Sequence, residues 1–286
     1  MKTLELPGGA RMPAFGLGTW RYGESAGRRR AEIAAIRDAI ALGYRLFDTA
    51  EMYGEGGAET VLGQAIADAL RAGDVSRDQL FVVSKVYPHN ASRRGVPAAC
   101  ARSLQRLQLE RIDLYLLHWR GSHPLAETAE AMQALVAEGH LLHWGVSNLD
   151  VDDLEELAAV TGPSGAPCAV NQVYYSLSER GPEAALLPWQ RARGLPLMAY
   201  SPIDEGALAR ADALAALGAP LGLSAAQLAL AWVQAQPGVV GIPKAVNRQH
   251  LQDNLAAAGT TLPADVLAAL DRHFPPPKQK RPLAMR

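Results

Sequence analysis

Eight short, predominantly apolar runs alternate with segments of helical period along almost the whole chain, and this alternation restricts the fold more than any other feature. The runs occupy residues 14–18, 44–47, 80–84, 112–117, 142–146, 169–172, 196–200 and 239–242. Such runs, each followed by a helix-length segment, are the pattern of parallel strands joined by helical crossovers. The intervening segments carry helix punctuation. Ile33, Ile36 and Ile40 form one apolar stripe, and Gly43 stands where a left-handed cap is expected. Pro97 suits a first helical position ahead of Cys100, Leu104 and Leu107, and Gly139 closes the segment holding Leu125, Met132 and Val136. Ser224 and Gln227 have capping-box spacing before Leu228 and Trp232.

A chain of 286 residues is about twice the usual single-domain length, so it is either two domains or one large closed structure. Eight strand–helix units favour the second: an α/β (β/α)8 TIM barrel, one domain spanning 1–286. Residues 1–13, with Leu4, Leu6 and the Gly8-Gly9 turn, read as a β-hairpin before the barrel. The barrel itself is expected over about 14–258, and a C-terminal helix and tail over about 259–286. From residue 271 onward the chain is read as extended tail, because Pro275, Pro276 and Pro277 cannot continue a helix.

Composition removes several function classes. The net charge is −1, and the basic runs at 28–30 and 278–281 are short, so neither nucleic acid nor a membrane is an expected partner and both runs read as solvated surface. Two cysteines, Cys100 and Cys168, are too few for a disulfide framework and fit a reducing cytoplasm. No targeting segment and no membrane-length apolar run is evident, and nothing demands more than a monomer.

In a barrel of this kind catalytic groups come from the C-terminal ends of the strands. The residues closing the runs are polar: Asp48 with Tyr53 just after it, Lys85, His118, Ser147 and Asn148, Gln172, Tyr200 and Ser201, and Lys244. One or two could be solvent contacts; the whole set points to one mouth. Asp48, Tyr53, Lys85 and His118 make a chemical unit. A free phenol titrates near ~10, and a neighbouring ammonium stabilises its phenolate, so Lys85 is expected to lower the Tyr53 pKa while Asp48 holds Lys85. His118 can hydrogen-bond a substrate oxygen, and Tyr53 then serves as general acid toward a carbonyl.

With these residues in view the chain resembles the aldo-keto reductase family, and within it the bacterial methylglyoxal and general aldehyde reductases. The matching stretches are 47–54 (FDTAEMYG), 83–85 (VSK), 113–119 (DLYLLHW), 144–148 (WGVSN), 171–172 (NQ), 199–202 (AYSP) and 242–244 (IPK), in family order. The resemblance implies NADPH-dependent reduction of aldehydes, 2-oxoaldehydes or ketones, with NADH as a possible substitute. It implies Tyr53 as proton donor, tuned by Lys85 and Asp48, and His118 orienting the carbonyl. Ser147, Asn148 and Gln172 would hold the nicotinamide carboxamide, and Tyr200 would stack on the ring. Ser201, Pro202, Ile203, Lys244, Ala245, Val246, His250 and Asn254 would meet the phosphates and adenosine, and Gly18, Thr19 and Trp20 would also bind the cofactor. Trp20, Trp119, Tyr87 and His118 would wall the pocket for a small carbonyl substrate.

Departures matter as well. Where the family often has Ser, Asn or Thr, and then an Arg gripping the coenzyme 2′-phosphate, this chain has Ala245, Asn247 and His250. The loop 204–210 is short for a long belt over the pyrophosphate. Gly16-Leu17-Gly18 does not complete the dinucleotide fingerprint, because Arg21 stands at the last glycine position. Trp144 and Trp232 read as core. His140 and His143 lack the acidic or Cys partners of a metal site, so no metal is expected. Two other classes compete: a cofactor-binding regulatory subunit with little turnover, and a metal-dependent barrel hydrolase.

Overall fold

The computed structural model describes residues 2–162 and 165–286. An antiparallel hairpin, β1 (Thr3–Glu5) and β2 (Arg11–Pro13), precedes eight parallel strands paired in sequence order. These are β3 (Gly16–Gly18), β4 (Leu46–Asp48), β5 (Phe81–Val86), β6 (Ile112–Leu117), β7 (Leu141–Ser147), β8 (Cys168–Tyr174), β9 (Leu197–Tyr200) and β10 (Val239–Gly241). Each overlaps one of the eight runs. A parallel bridge between Phe15 and Gly241 joins the two ends of the sheet, making the (β/α)8 barrel.

The crossovers hold helices α1 (Arg29–Leu42), α2 (Gly57–Ala72), α3 (Gly95–Leu107), α4 (Leu125–Ala137), α5 (Val151–Thr161), α6 (Leu186–Ala192), α7 (Asp212–Gly218) and α8 (Ala225–Ala235); α9 (Arg248–Ala258) and α10 (Ala264–His273) follow. Gly43 ends α1 at φ 102°, and the Ser224–Gln227 capping box opens α8. Two local expectations shift. Pro97 occupies the third position of α3, still within the first turn, where its missing N–H has no intrahelical partner to lose. The last helix continues through His273 instead of ending at 270, because Pro275 disfavours helix only from its predecessor Phe274 onward.

Alternation along the strands divides the core into two clusters. Leu46, Val83, Leu114, Leu116, Val170, Met198 and Val240 fill the barrel interior, and Leu6 and Met12 of the hairpin region join them. Phe47, Val82, Tyr115, Leu117, Val173 and Ala199 face the helices, among which Trp144 and Trp232 are both 1% exposed. Side chains two residues apart share a face. The inward set therefore continues from Leu46 to Asp48, Val83 to Lys85, Leu116 to His118, Val170 to Gln172 and Met198 to Tyr200. The parity that packs the interior places these polar groups at one end of it.

The first glycines of the barrel are explained by the close approach of the strands on either side of β3. A Cβ on Gly16 would lie 2.1 Å from the Leu46 side chain, and one on Gly18 would lie 2.8 Å from the Ile242 carbonyl oxygen. Strand packing, not phosphate binding, requires Gly16-Leu17-Gly18. No single described helix is long and apolar enough to cross a membrane; the apolar α8 buries Leu228, Leu230, Trp232 and Val233 in the core.

Candidate active site

Asp48 and Lys85 lie on adjacent inward-facing strand ends, and Lys85 Nζ is 2.8 Å from Asp48 Oδ2. The ammonium also donates to the Thr49 carbonyl oxygen at 2.9 Å and to the Tyr53 hydroxyl oxygen at 3.1 Å. Its three protons are thus all used. Because the Tyr53 oxygen accepts from Lys85, its own proton is left for the cavity that Tyr53 lines. Tyr53 opens a short 3-10 turn, Tyr53–Gly56, in which Gly54, Glu55 and Gly56 all have positive φ. Glycine takes this conformation without penalty at two of the three positions, and the turn brings Tyr53 back over the barrel mouth.

An aromatic wall surrounds the phenol. Trp20 meets the Tyr53 ring edge-on at 4.9 Å between centroids, His118 meets it at 5.7 Å, and Trp119 lies 4.9 Å beyond His118. Burial and then the Asp48 carboxylate push the Tyr53 phenol well above its ordinary pKa. The expected lowering by Lys85 is therefore outweighed, and Tyr53 is held as the protonated donor. Lys85 itself is lowered by burial, an effect that Asp48 opposes. Burial and the Lys85 charge hold His118 well below the usual imidazole range, so at neutral pH the ring is uncharged. Its Nδ1 is buried without a protein partner.

Across the barrel, Gln172 donates from Nε2 to Asp48 Oδ1 at 2.8 Å. Ser147 Oγ donates to the Gln172 carbonyl oxygen, and Asn148 Nδ2 reaches both the His118 carbonyl oxygen and Ser147 Oγ. Tyr200 donates to Asn148 Oδ1 at 3.0 Å, and Asn148 holds positive φ at 59°. These polar groups are interlocked and not free arms.

One cavity of about 900 Å³ connects this region with the loop after β9 and the start of α9. Of the expected residues, Asp48, Tyr53, His118, Gly18, Trp20, Trp119, Asn148, Gln172, Tyr200, Ser201, Pro202, Ile203, Lys244, His250 and Asn254 line it. Thr19, Lys85, Ser147, Ala245 and Val246 do not. Thr19 donates to the Asp48 carbonyl oxygen, Ala245 accepts from the Tyr22 hydroxyl, and Val246 packs against the core. Tyr87 also departs from expectation. Its backbone N–H is held by Glu51 and its hydroxyl by Glu55, which turns it into a separate cleft of about 340 Å³. Its ring reaches Trp119 only from behind the cavity wall, edge-on at 6.0 Å.

The family model for the aldo/keto reductases matches residues 14–274. The chain belongs to the aldo/keto reductase family. It is similar to the methylglyoxal reductase YeaE of Escherichia coli, at 44% identity over 99% of each chain. It is also similar to the Bacillus subtilis glyoxal reductase, at 32% identity over 88% of this chain and 85% of that protein. Among solved structures, an aldo/keto reductase from Klebsiella pneumoniae in complex with NADP and acetate superposes with a TM-score of 0.90 at 45% identity, covering 100% of this chain and 99% of that one.

Sequence reasoning passed over several residues that line this reductase's cavity. Arg21 lies three residues past the end of β3 and next to Trp20, so extending by one position the rule that pointed to Trp20 would have found it. Glu205, Arg210, Gln227 and Asp253 belong to the far end of the cavity. Met285 and Arg286 arrive from the tail, and no motif marks them. Burial lowers the Lys244 pKa, and charges of both signs from the segment around the start of α1 act on it, Glu32 and Glu24 opposing Arg28 and Arg21.

Proposed function

We infer that this aldo/keto reductase reduces small aldehydes, 2-oxoaldehydes of the methylglyoxal kind and ketones to alcohols, with NADPH in preference to NADH. The observation carrying the reading is the Lys85 ammonium spent on Asp48, Thr49 and Tyr53, which leaves the Tyr53 proton for a substrate oxygen. The cavity fits a dinucleotide in chemistry as well as size: an aromatic, titratable end, a middle of amides and Tyr200, and an end bearing Arg21 and Lys244. A reduced nicotinamide bound there supplies the hydride.

The protein's part is to receive the developing charge. Tyr53 gives its proton to the carbonyl oxygen, and the phenolate left behind lies 3.1 Å from the Lys85 ammonium. His118, uncharged, donates a hydrogen bond to the same oxygen without competing as an acid. Asp48 keeps the ammonium in place, and Gln172 keeps Asp48 in place. Trp20 and Trp119 supply apolar walls for a compact substrate. At the adenosine end, Asn254, Lys244 and His250 would hold the ribose phosphate and base, with Arg21 as a further cation. A cytoplasmic location and a monomeric state belong to the same reading, the first resting on a chain with only two cysteines, Cys100 and Cys168, which are not paired with each other.

The test is NADPH oxidation by the purified protein over methylglyoxal, aromatic aldehydes, sugar aldehydes and keto-acids. Tyr53→Phe should cut turnover by roughly 10²- to 10⁴-fold while NADPH still quenches tryptophan fluorescence. Unchanged turnover in that variant would overturn the assignment of the proton donor.

A further inference from the structure

The tail after α10 does not leave the molecule. Leu283 packs against the core, and Lys280 pairs with Asp150 at 3.3 Å and Asp152 at 3.4 Å, beside the start of α5. Met285 and Arg286 then line the main cavity. Arg286 is pinned on several sides. Its guanidinium lies 2.6 Å from Asp204 and 3.8 Å from Glu205, and 5.0 Å from the centre of the Tyr174 ring. Its backbone N–H points to the Tyr200 hydroxyl at 3.4 Å.

The partners of Arg286 present an electrostatic problem that it solves. Asp204 and Glu205 are consecutive, both at positive φ, on the short loop that lines the cavity beside Ser201, Pro202 and Ile203. Two carboxylates beside a groove for a pyrophosphate repel it unless a cation offsets them. The Tyr174 hydroxyl donates to Asp204 at 2.6 Å and Ser178 at 2.9 Å, and these bonds fix the carboxylate without neutralising it. Arg286 supplies the positive charge.

We propose that Arg286 is a positioning residue for the coenzyme: through Asp204 and Glu205 it latches the loop after β9 against the cavity and offsets part of the negative charge of those two carboxylates. The latch rests on reading the cavity as the NADPH site. It makes coenzyme retention depend on a residue that touches neither the nicotinamide-side tetrad nor Lys244. Because the pair is partly exposed, with 42% of the Arg286 side chain accessible, the effect is several-fold and not hundreds-fold.

NADPH affinity by fluorescence quenching and NADPH release by stopped flow, both on the full chain, test this. Arg286→Ala should weaken NADPH binding and speed its release by roughly three- to tenfold. Arg286→Lys should recover part of the loss. Asp204→Asn added to Arg286→Ala should recover most of it, because the net charge of this cluster then returns to that of the unsubstituted protein. A tail contact that is merely structural would lower the melting temperature and leave affinity and release within twofold of the unsubstituted protein; that result overturns the latch, as does a loss that Asp204→Asn fails to relieve. If the unsubstituted protein does not bind NADPH, the coenzyme reading fails first and the latch falls with it.

Discussion

Gln172 on β8 and Asp48 on β4 meet across the barrel, 124 positions apart in sequence, through a 2.8 Å hydrogen bond from amide to carboxylate. With Lys85 on the other carboxylate oxygen, Asp48 is held from two strands that do not pair with each other. The Gln172 Nε2 amide donates to Asp48 and to the Met198 sulfur, so its side-chain oxygen Oε1 is what it can offer the cavity.

Gln172→Leu removes one bond to a buried carboxylate, a loss of about 1.5–3 kcal/mol for a charged partner. Steady-state kinetics should show kcat/KM for methylglyoxal reduced by roughly 10- to 100-fold. An unaltered value would mean that Lys85 alone positions Asp48.

Lys85→Met leaves Asp48 buried without its cation, and breaking such a pair costs about 3–5 kcal/mol. Urea denaturation should register that cost. Adding Asp48→Asn should restore most of the stability while turnover stays at background, because the ammonium beside Tyr53 is still missing. Recovery of turnover together with stability would remove Lys85 from the chemistry.

The pH behaviour follows from His118, held well below its ordinary value by burial and Lys85. An imidazole in the unfolded chain takes up a proton near pH ~6.5, whereas the folded one does so only at lower pH. The unfolded state thus binds the proton first, and stability declines as pH falls below about 6.5, with no His118 contribution to the slope above it. Melting temperature against pH should show a shallower acid limb for His118→Gln. The kcat profile should show no His118 inflection near pH ~6.5, and an inflection there that His118→Gln abolished would contradict a neutral ring.

Coenzyme choice can be sharpened at one position. His250 lines the cavity near the capped start of α9, where Asn247 accepts from the Gln249 and His250 N–H groups. His250→Arg should raise the NADPH-over-NADH ratio of kcat/KM by roughly fivefold or more, given the fixed charge and forked donors of a guanidinium. An unchanged ratio would show that Arg21 and Lys244 already satisfy the 2′-phosphate.

Asp48, Lys85, His118 and Gln172 were legible in the sequence because strand parity is local information, whereas Tyr53, on the turn Tyr53–Gly56, was reached only by its nearness to Asp48 in the chain. Once residues 46, 83, 116 and 170 are inward, residues 48, 85, 118 and 172 follow. What could not be read required long-range geometry. The Tyr53 proton is directed by three simultaneous bonds of Lys85, and its pKa is raised because desolvation and Asp48 outweigh the ammonium. Tyr87 follows a strand end as Trp119 does, yet Glu51 and Glu55 turn it into another cleft. Arg286 lies in a proline-rich tail that carries no periodicity, and only tertiary contacts return it to the mouth.

The bridge between Phe15 and Gly241 has a consequence for how the protein is made. The first barrel strand cannot acquire its second neighbour until the ribosome has delivered the eighth, so β3 waits with one flank bare throughout most of synthesis. A chain cut short of Gly241 would be left with an open sheet whose unpaired edge invites other chains.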